Sequence, residues 1–293
     1  MPWDRRVYWL AVCLAAPLTS WAQTPPDGAS ARLDALAARV MDPTAMLSVS
    51  ATLAQLDEIE PQTAPGSVDR GRVANLRGLI EYKGHRVRPS IEHYTAALGI
   101  DAQTPFLNAQ DRLMANYNIA TQAESAGQCE QAVPYFRTVA ALMAADPSQT
   151  EAKRLGVQER LGYCLHELKR YAEAQQVNQA VLAGGESLYG PNDPKLMTVL
   201  INLAQNDYEL HQPDAARGLL QRVLAIATAS GDADRVDTAL FQLGVLAFES
   251  GSPGEATQLM TRRLQLAKTS GDPSRVHRAQ EDLDILEEKA AGK

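Results

Sequence analysis

The stretch Leu-Gly-Tyr-Cys-Leu-His-Glu-Leu-Lys-Arg-Tyr-Ala-Glu-Ala-Gln-Gln-Val-Asn-Gln-Ala-Val-Leu, residues 161–182, decides how this chain is read. Leu161, Leu165 and Leu168 recur at three- and four-residue intervals, and Ala174, Val177, Val181 and Leu182 do so again. Each half is therefore a helix with one apolar face. Gly162 and Ala174 carry almost no side chain, so the two helices can cross closely there. The same pair recurs outward in both directions. Gly78, Ala120, Gly162, Ala204 and Gly244 follow one another at steps of 42, 42, 42 and 40 residues. Twelve residues after each stands Ser90, Ala132, Ala174, Ala216 or Ala256. Periods of this length mark stacked helical units, so an all-α solenoid of antiparallel helix pairs is expected, with a long binding surface.

The breaks between helices agree with that grammar. Gly251-Ser252-Pro253 and Gln212-Pro213 divide the first helix of a pair from the second. Ser230-Gly231-Asp232 and Ser270-Gly271-Asp272 divide successive pairs, with Gly suited to a helix C′ position and Asp to the next N-cap. Gly190-Pro191-Asn192-Asp193-Pro194 serves between the third and fourth pairs. Residues 23–65 fall outside the register. Helices near 29–41 and 44–60, divided by Asp42-Pro43, are expected there as a capping region, with Asp42 as the N-cap. Residues 66–271 form five repeats, and 272–293 a capping helix with Val276, Leu283 and Leu286 on one side.

The amino terminus reads differently. Arg5 and Arg6 precede an apolar run from Val7 to Leu18, and Ser20 and Ala22 are small. This is the pattern of a secretory signal peptide, residues 1–22, cut after Ala22; an uncleaved anchor is the alternative. Localisation is thus expected to be periplasmic or secreted, with no membrane insertion once the signal is removed. The short signal and the absence of N-glycosylation sequons beyond it point to a Gram-negative periplasm. The chain carries a net charge of −7, and removing Arg5, Arg6 and Asp4 takes it to −8. Such an acidic protein lacks the electrostatic footprint of a nucleic-acid binder.

Helix A of each repeat pairs a hydrophobic residue with a small one, as in Leu161-Gly162, Leu203-Ala204 and Leu243-Gly244. Helix B places a bulky residue four after its Ala, as in Ala132/Phe136, Ala216/Leu220 and Ala256/Met260. This pattern resembles the tetratricopeptide repeat family, and the 42-residue period is similar to its kinesin-light-chain-type subgroup. Arg77 before Gly78, Ser90 for Ala, and polar Asn178 depart from it. The resemblance implies a right-handed superhelix and an adaptor or scaffold role. It also implies that residues −3, +1, +4 and +5 from the small residue line a concave groove. On that stripe fall Tyr82, Tyr117, Glu124, Glu159, Tyr163, His166, Glu167, Tyr208, Glu209, Phe241, Phe248 and Glu249. Aromatic anchors beside glutamates suit a protein or peptide partner with basic groups. Packing of Phe241 and Phe248 between helices is the plainer alternative. The family's carboxylate-clamp residues do not map, since Gly156 and Arg160 stand where Lys and Arg would be needed.

Catalytic chemistry is not expected. His85, His93, His166, His211 and His277 lack metal-ligand spacing, and neither a phosphate loop nor a nucleophile elbow occurs. No cofactor or metal is expected. Cys129 and Cys164 fall near helix ends that antiparallel packing could bring together, leaving open a disulfide or two buried thiols. The expected function is an exported interaction scaffold. The alternatives are a chaperone- or immunity-type binder of one protein and, behind it, a glycan- or cell-wall-binding solenoid.

Overall fold

The computed structural model describes residues 28–291. The expected signal segment, residues 1–22, lies outside the described residues. Among these, thirteen α-helices and no strand occur. They are α1 (Gly28–Met41), α2 (Val49–Ile59), α3 (Val68–Lys83), α4 (Val87–Gln103), α5 (Ala109–Ser125), α6 (Cys129–Ala145), α7 (Glu151–Glu167), α8 (Tyr171–Tyr189), α9 (Met197–Glu209), α10 (Pro213–Ser230), α11 (Ala233–Glu249), α12 (Pro253–Ser270) and α13 (Pro273–Ala290). The chain divides into two compact units at Ile119/Ala120, inside α5.

In the first unit α1 and α2 pack on α3, and α3 pairs with α4. Leu33, Leu36, Val40, Leu56 and Ile59 meet Val73, Leu76 and Ile80 in one core. Burying each such side chain contributes about 1.5–3 kcal/mol. The capping hairpin corrects one sequence expectation. Asp42 does not cap the second helix; its carboxylate accepts from the Thr44 amide (2.8 Å) and hydroxyl (2.7 Å) in a local turn. Ser48 caps α2 instead, accepting from the Ala51 amide at 3.4 Å. The short Asp side chain finds nearer donors than a helix start would offer. Arg77, a departure from the repeat pattern, is matched by this cap: its guanidinium reaches Asp57 at 2.6 Å and Glu60 at 2.8 Å.

In the second unit each helix from α6 to α13 packs on the next. Gly231 and Gly271 adopt left-handed φ of 72°, and Asp232 and Asp272 cap the helices that follow, accepting from Arg235 (3.0 Å) and Ser274 (2.9 Å). Ala279, Leu283 and Leu286 of α13 close the core formed with Ala256, Met260, Leu264 and Ala267 of α12.

The register has four marks. At the small residue of helix A, a Cβ added to Gly78 would meet the Tyr94 ring at 2.7 Å, and one added to Gly244 would meet Met260 Cε at 2.8 Å. At Gly162 it would overlap Asn178 Oδ1. These plugs stand sixteen residues on, and fully or nearly fully buried Phe136 and Leu220 hold that position in the second and fourth repeats. Twelve residues on, Ala132, Ala174, Ala216 and Ala256 are wholly buried. Ser90, also wholly buried, donates its hydroxyl to the Gly78 carbonyl at 2.8 Å, which satisfies the one polar group at that position. Seven residues on, His85 (φ 56°), Gly127 (73°), Lys169 (59°), His211 (57°) and Gly251 (77°) turn the chain left-handed between helices A and B.

Candidate functional site

The small-residue register orients α7, α9 and α11 so that positions +4 and +5 lie at their carboxyl ends. In the second unit this gathers His166 and Glu167, Tyr208 and Glu209, then Phe248 and Glu249. Tyr208 is 42% exposed, and its hydroxyl donates to Glu249 Oε2 at 2.7 Å. That bond holds the Tyr208 hydroxyl proton and, with partial burial, raises its pKa. One repeat earlier, burial and the neighbouring Glu209 carboxylate raise the pKa of the Tyr171 hydroxyl. The His166 ring stands 5.2 Å from the Tyr171 ring, and its Nδ1 lies 2.7 Å from Asn206 Oδ1. Tyr163 on α7 is half-buried, and Glu167 is exposed.

Between α9, α10 and α11 opens a cavity of about 180 Å³. Its wall includes Gln205 and Tyr208 of α9, Leu220 of α10, and Phe241, Gln242 and Val245 of α11. Four of these, Gln205, Tyr208, Phe241 and Val245, hold stripe positions. Phe241 is 36% exposed, with its other face over the Arg263 guanidinium at 5.0 Å. Arg263 is buried and fixed by Asp237 (2.9 Å) and Asp282 (2.5 Å), so the ring rests on an immobilised cation. Gln242 Oε1 is buried without a partner.

Other stripe residues are occupied by the protein itself. Glu124 is buried, and Arg160 Nε donates to its Oε2 at 2.6 Å while the guanidinium lies 5.6 Å from the Phe136 ring. Its cation arrives from the next repeat, so nothing local in the sequence signals the pairing. Phe248 packs with Val245 and Val276 against the α12–α13 core, the plainer of the two sequence expectations for it. Burial pushes the Glu159 carboxyl up, partly offset by Arg235. Tyr82, exposed at the end of α3, and half-buried Tyr117 on α5 belong to the first unit. Sequence reasoning missed Tyr171, Asn206 and Gln242, since none stands on the stripe.

Cys129, the first residue of α6, and Cys164 on α7 are buried free thiols. Interaction with Cys129, together with burial, pushes the Cys164 thiol far up. The Glu124–Arg160 pair lies close enough to act on it. Among the described residues, no group of three or more His, Cys, Asp or Glu is placed to hold a metal ion, and no helix is long and apolar enough to cross a membrane.

Comparison with known proteins agrees with this architecture. Residues 154–229 match the tetratricopeptide repeat family model. The apo form of RapI is similar in structure at 12% identity, covering 91% of this chain and 72% of that one, with a TM-score of 0.62. Aspartyl phosphate phosphatase F from Bacillus subtilis is similar at 14% identity, covering 90% and 70%, with a TM-score of 0.56. BtubC (BKLC) from P. vanneervenii shares 18% identity over 71% of this chain and 82% of its own, with a TM-score of 0.55. At these identities the likeness is one of fold. No curated protein matches the sequence. The fold is that of tetratricopeptide-like repeat proteins.

Proposed function

We propose that the protein is a non-catalytic interaction scaffold that takes a peptide or helix of another protein against the α7–α9–α11 face. One observation carries this reading: an apolar cavity opens on that face, walled by half-exposed Tyr208 and Phe241 at the register positions the repeat assigns to partner contact. Large aromatic side chains that keep apolar surface in water at the mouth of a cavity are typical anchors for a partner. The basic start, apolar run and small residues of segment 5–22 support export, with mature protein beginning at Gln23.

The test is crosslinked affinity purification from native cells, comparing wild type with Tyr163→Ala/Tyr208→Ala. The double variant should lose most of the recovered partner while its circular dichroism stays near wild type. Unchanged recovery refutes the groove. Amino-terminal sequencing of the recovered protein should begin at Gln23; an intact Met1 refutes cleavage.

A further inference from the structure

The acidic side of the groove has an unusual placement. Glu167, Glu209 and Glu249 are each the last residue of their helix, α7, α9 and α11, and each stands five residues after the small residue. A carboxylate at a helix carboxyl end opposes the helix dipole, which favours cations there. Among the described residues none of the three forms an ion pair. Arginines of the same unit are engaged elsewhere: Arg160 with Glu124, Arg170 with Glu173, Arg217 with Glu255, and Arg263 with Asp237 and Asp282. Glu249 is instead held by the Tyr208 phenol, and Glu209 lies near the Tyr171 hydroxyl. The result is three carboxylates at successive helix ends that, among the described residues, carry no ion pair.

The cavity adjoins this row, since Tyr208 both lines it and binds Glu249. Its volume of about 180 Å³ matches a single ring or branched aliphatic side chain, because an apolar cavity of about 150 Å³ accommodates benzene. Gln242 stands in its wall, with its Oε1 buried and without a partner. Among the described residues these carboxylates are not placed to hold a metal ion together, and an anionic membrane surface would be repelled by them.

We propose that the occupant is a basic peptide segment: one Leu, Ile, Met or Phe side chain enters the cavity, and flanking Lys or Arg residues pair with Glu167, Glu209 and Glu249. This rests on the groove reading above and adds the chemistry of the partner.

The test pans a random dodecapeptide phage library against the immobilised full chain and measures selected peptides by fluorescence anisotropy. Enriched sequences should combine Lys or Arg with one bulky apolar residue, and binding should weaken as salt rises. Glu209→Gln/Glu249→Gln, which keeps an acceptor for the Tyr208 phenol, should weaken binding about tenfold and flatten the salt dependence. Phe241→Ala should also weaken it, with the thermal unfolding curve checking the fold. Selection of neutral or acidic peptides that still depend on Phe241 overturns the basic partner and leaves the groove standing. Peptides indifferent to both Phe241→Ala and Tyr208→Ala overturn the groove itself. No enrichment at all overturns the proposal.

Discussion

Gly162→Ala tests the packing rule on which the groove is built. A Cβ at Gly162 would overlap Asn178 Oδ1 and lie 3.0 Å from its Cγ. Asn178 is wholly buried and short, so it has little room to withdraw. Overpacking of this kind costs about 1–3 kcal/mol, while Ala for Gly inside a helix returns about 1 kcal/mol. The net expectation is a loss of up to about 2 kcal/mol, or a fall in Tm of up to about 8 °C. Gly244→Ala is the internal contrast. Its Cβ would meet Met260 at the terminal Cε, 2.8 Å away, and an unbranched thioether can swing aside. That variant should be neutral or stabilised. Thermal and urea unfolding of the full chain by circular dichroism reads both, and Asn178→Ala should restore part of the loss in the Gly162→Ala background. Equal stability of Gly162→Ala and Gly244→Ala would refute the reasoning.

Asn178→Met should stabilise the chain by about 1–2 kcal/mol in urea unfolding, because both amide atoms of Asn178 are buried without partners; a loss of stability would show that the amide is satisfied in solution. His211→Gly should gain about 0.5–1 kcal/mol by relieving a left-handed side chain at φ 57°, and a clear destabilisation contradicts this. Cys129 and Cys164, whose thiols face each other, are expected to be paired in protein recovered from an oxidising compartment. They should then resist denaturing alkylation until reductant is added, and reductant should lower Tm by about 5–10 °C. Two thiols alkylated without reductant contradict it.

The repeat was legible because sterics impose it: only Gly, Ala or Ser fits where helices A and B touch, so Gly78, Ala120, Gly162, Ala204 and Gly244 stand out in the chain. The matching plugs were partly legible, with Asn178 noticed as a departure but not as an unsatisfied amide. The left-handed turns were not legible at His85, Lys169 and His211, where no glycine announces them. Tyr208, Phe241 and Val245, on the stripe that the resemblance implied, line the cavity, and helical periodicity sets which of them share a face. Glu124 was misread as available because its partner, Arg160, is brought in only by packing of the following repeat. Tyr171 escaped notice because it starts a helix B, yet its ring meets His166 on the stripe.

The central claim is that the partner sits on the α7–α9–α11 face. A photoreactive residue at position 205, in the cavity wall, or at position 266, exposed on α12, tests it in native cells. The account predicts a defined crosslinked species from position 205 that disappears in the Phe241→Ala background, and none from position 266. The same species from position 266, or none from 205 while the partner still co-purifies, would contradict it.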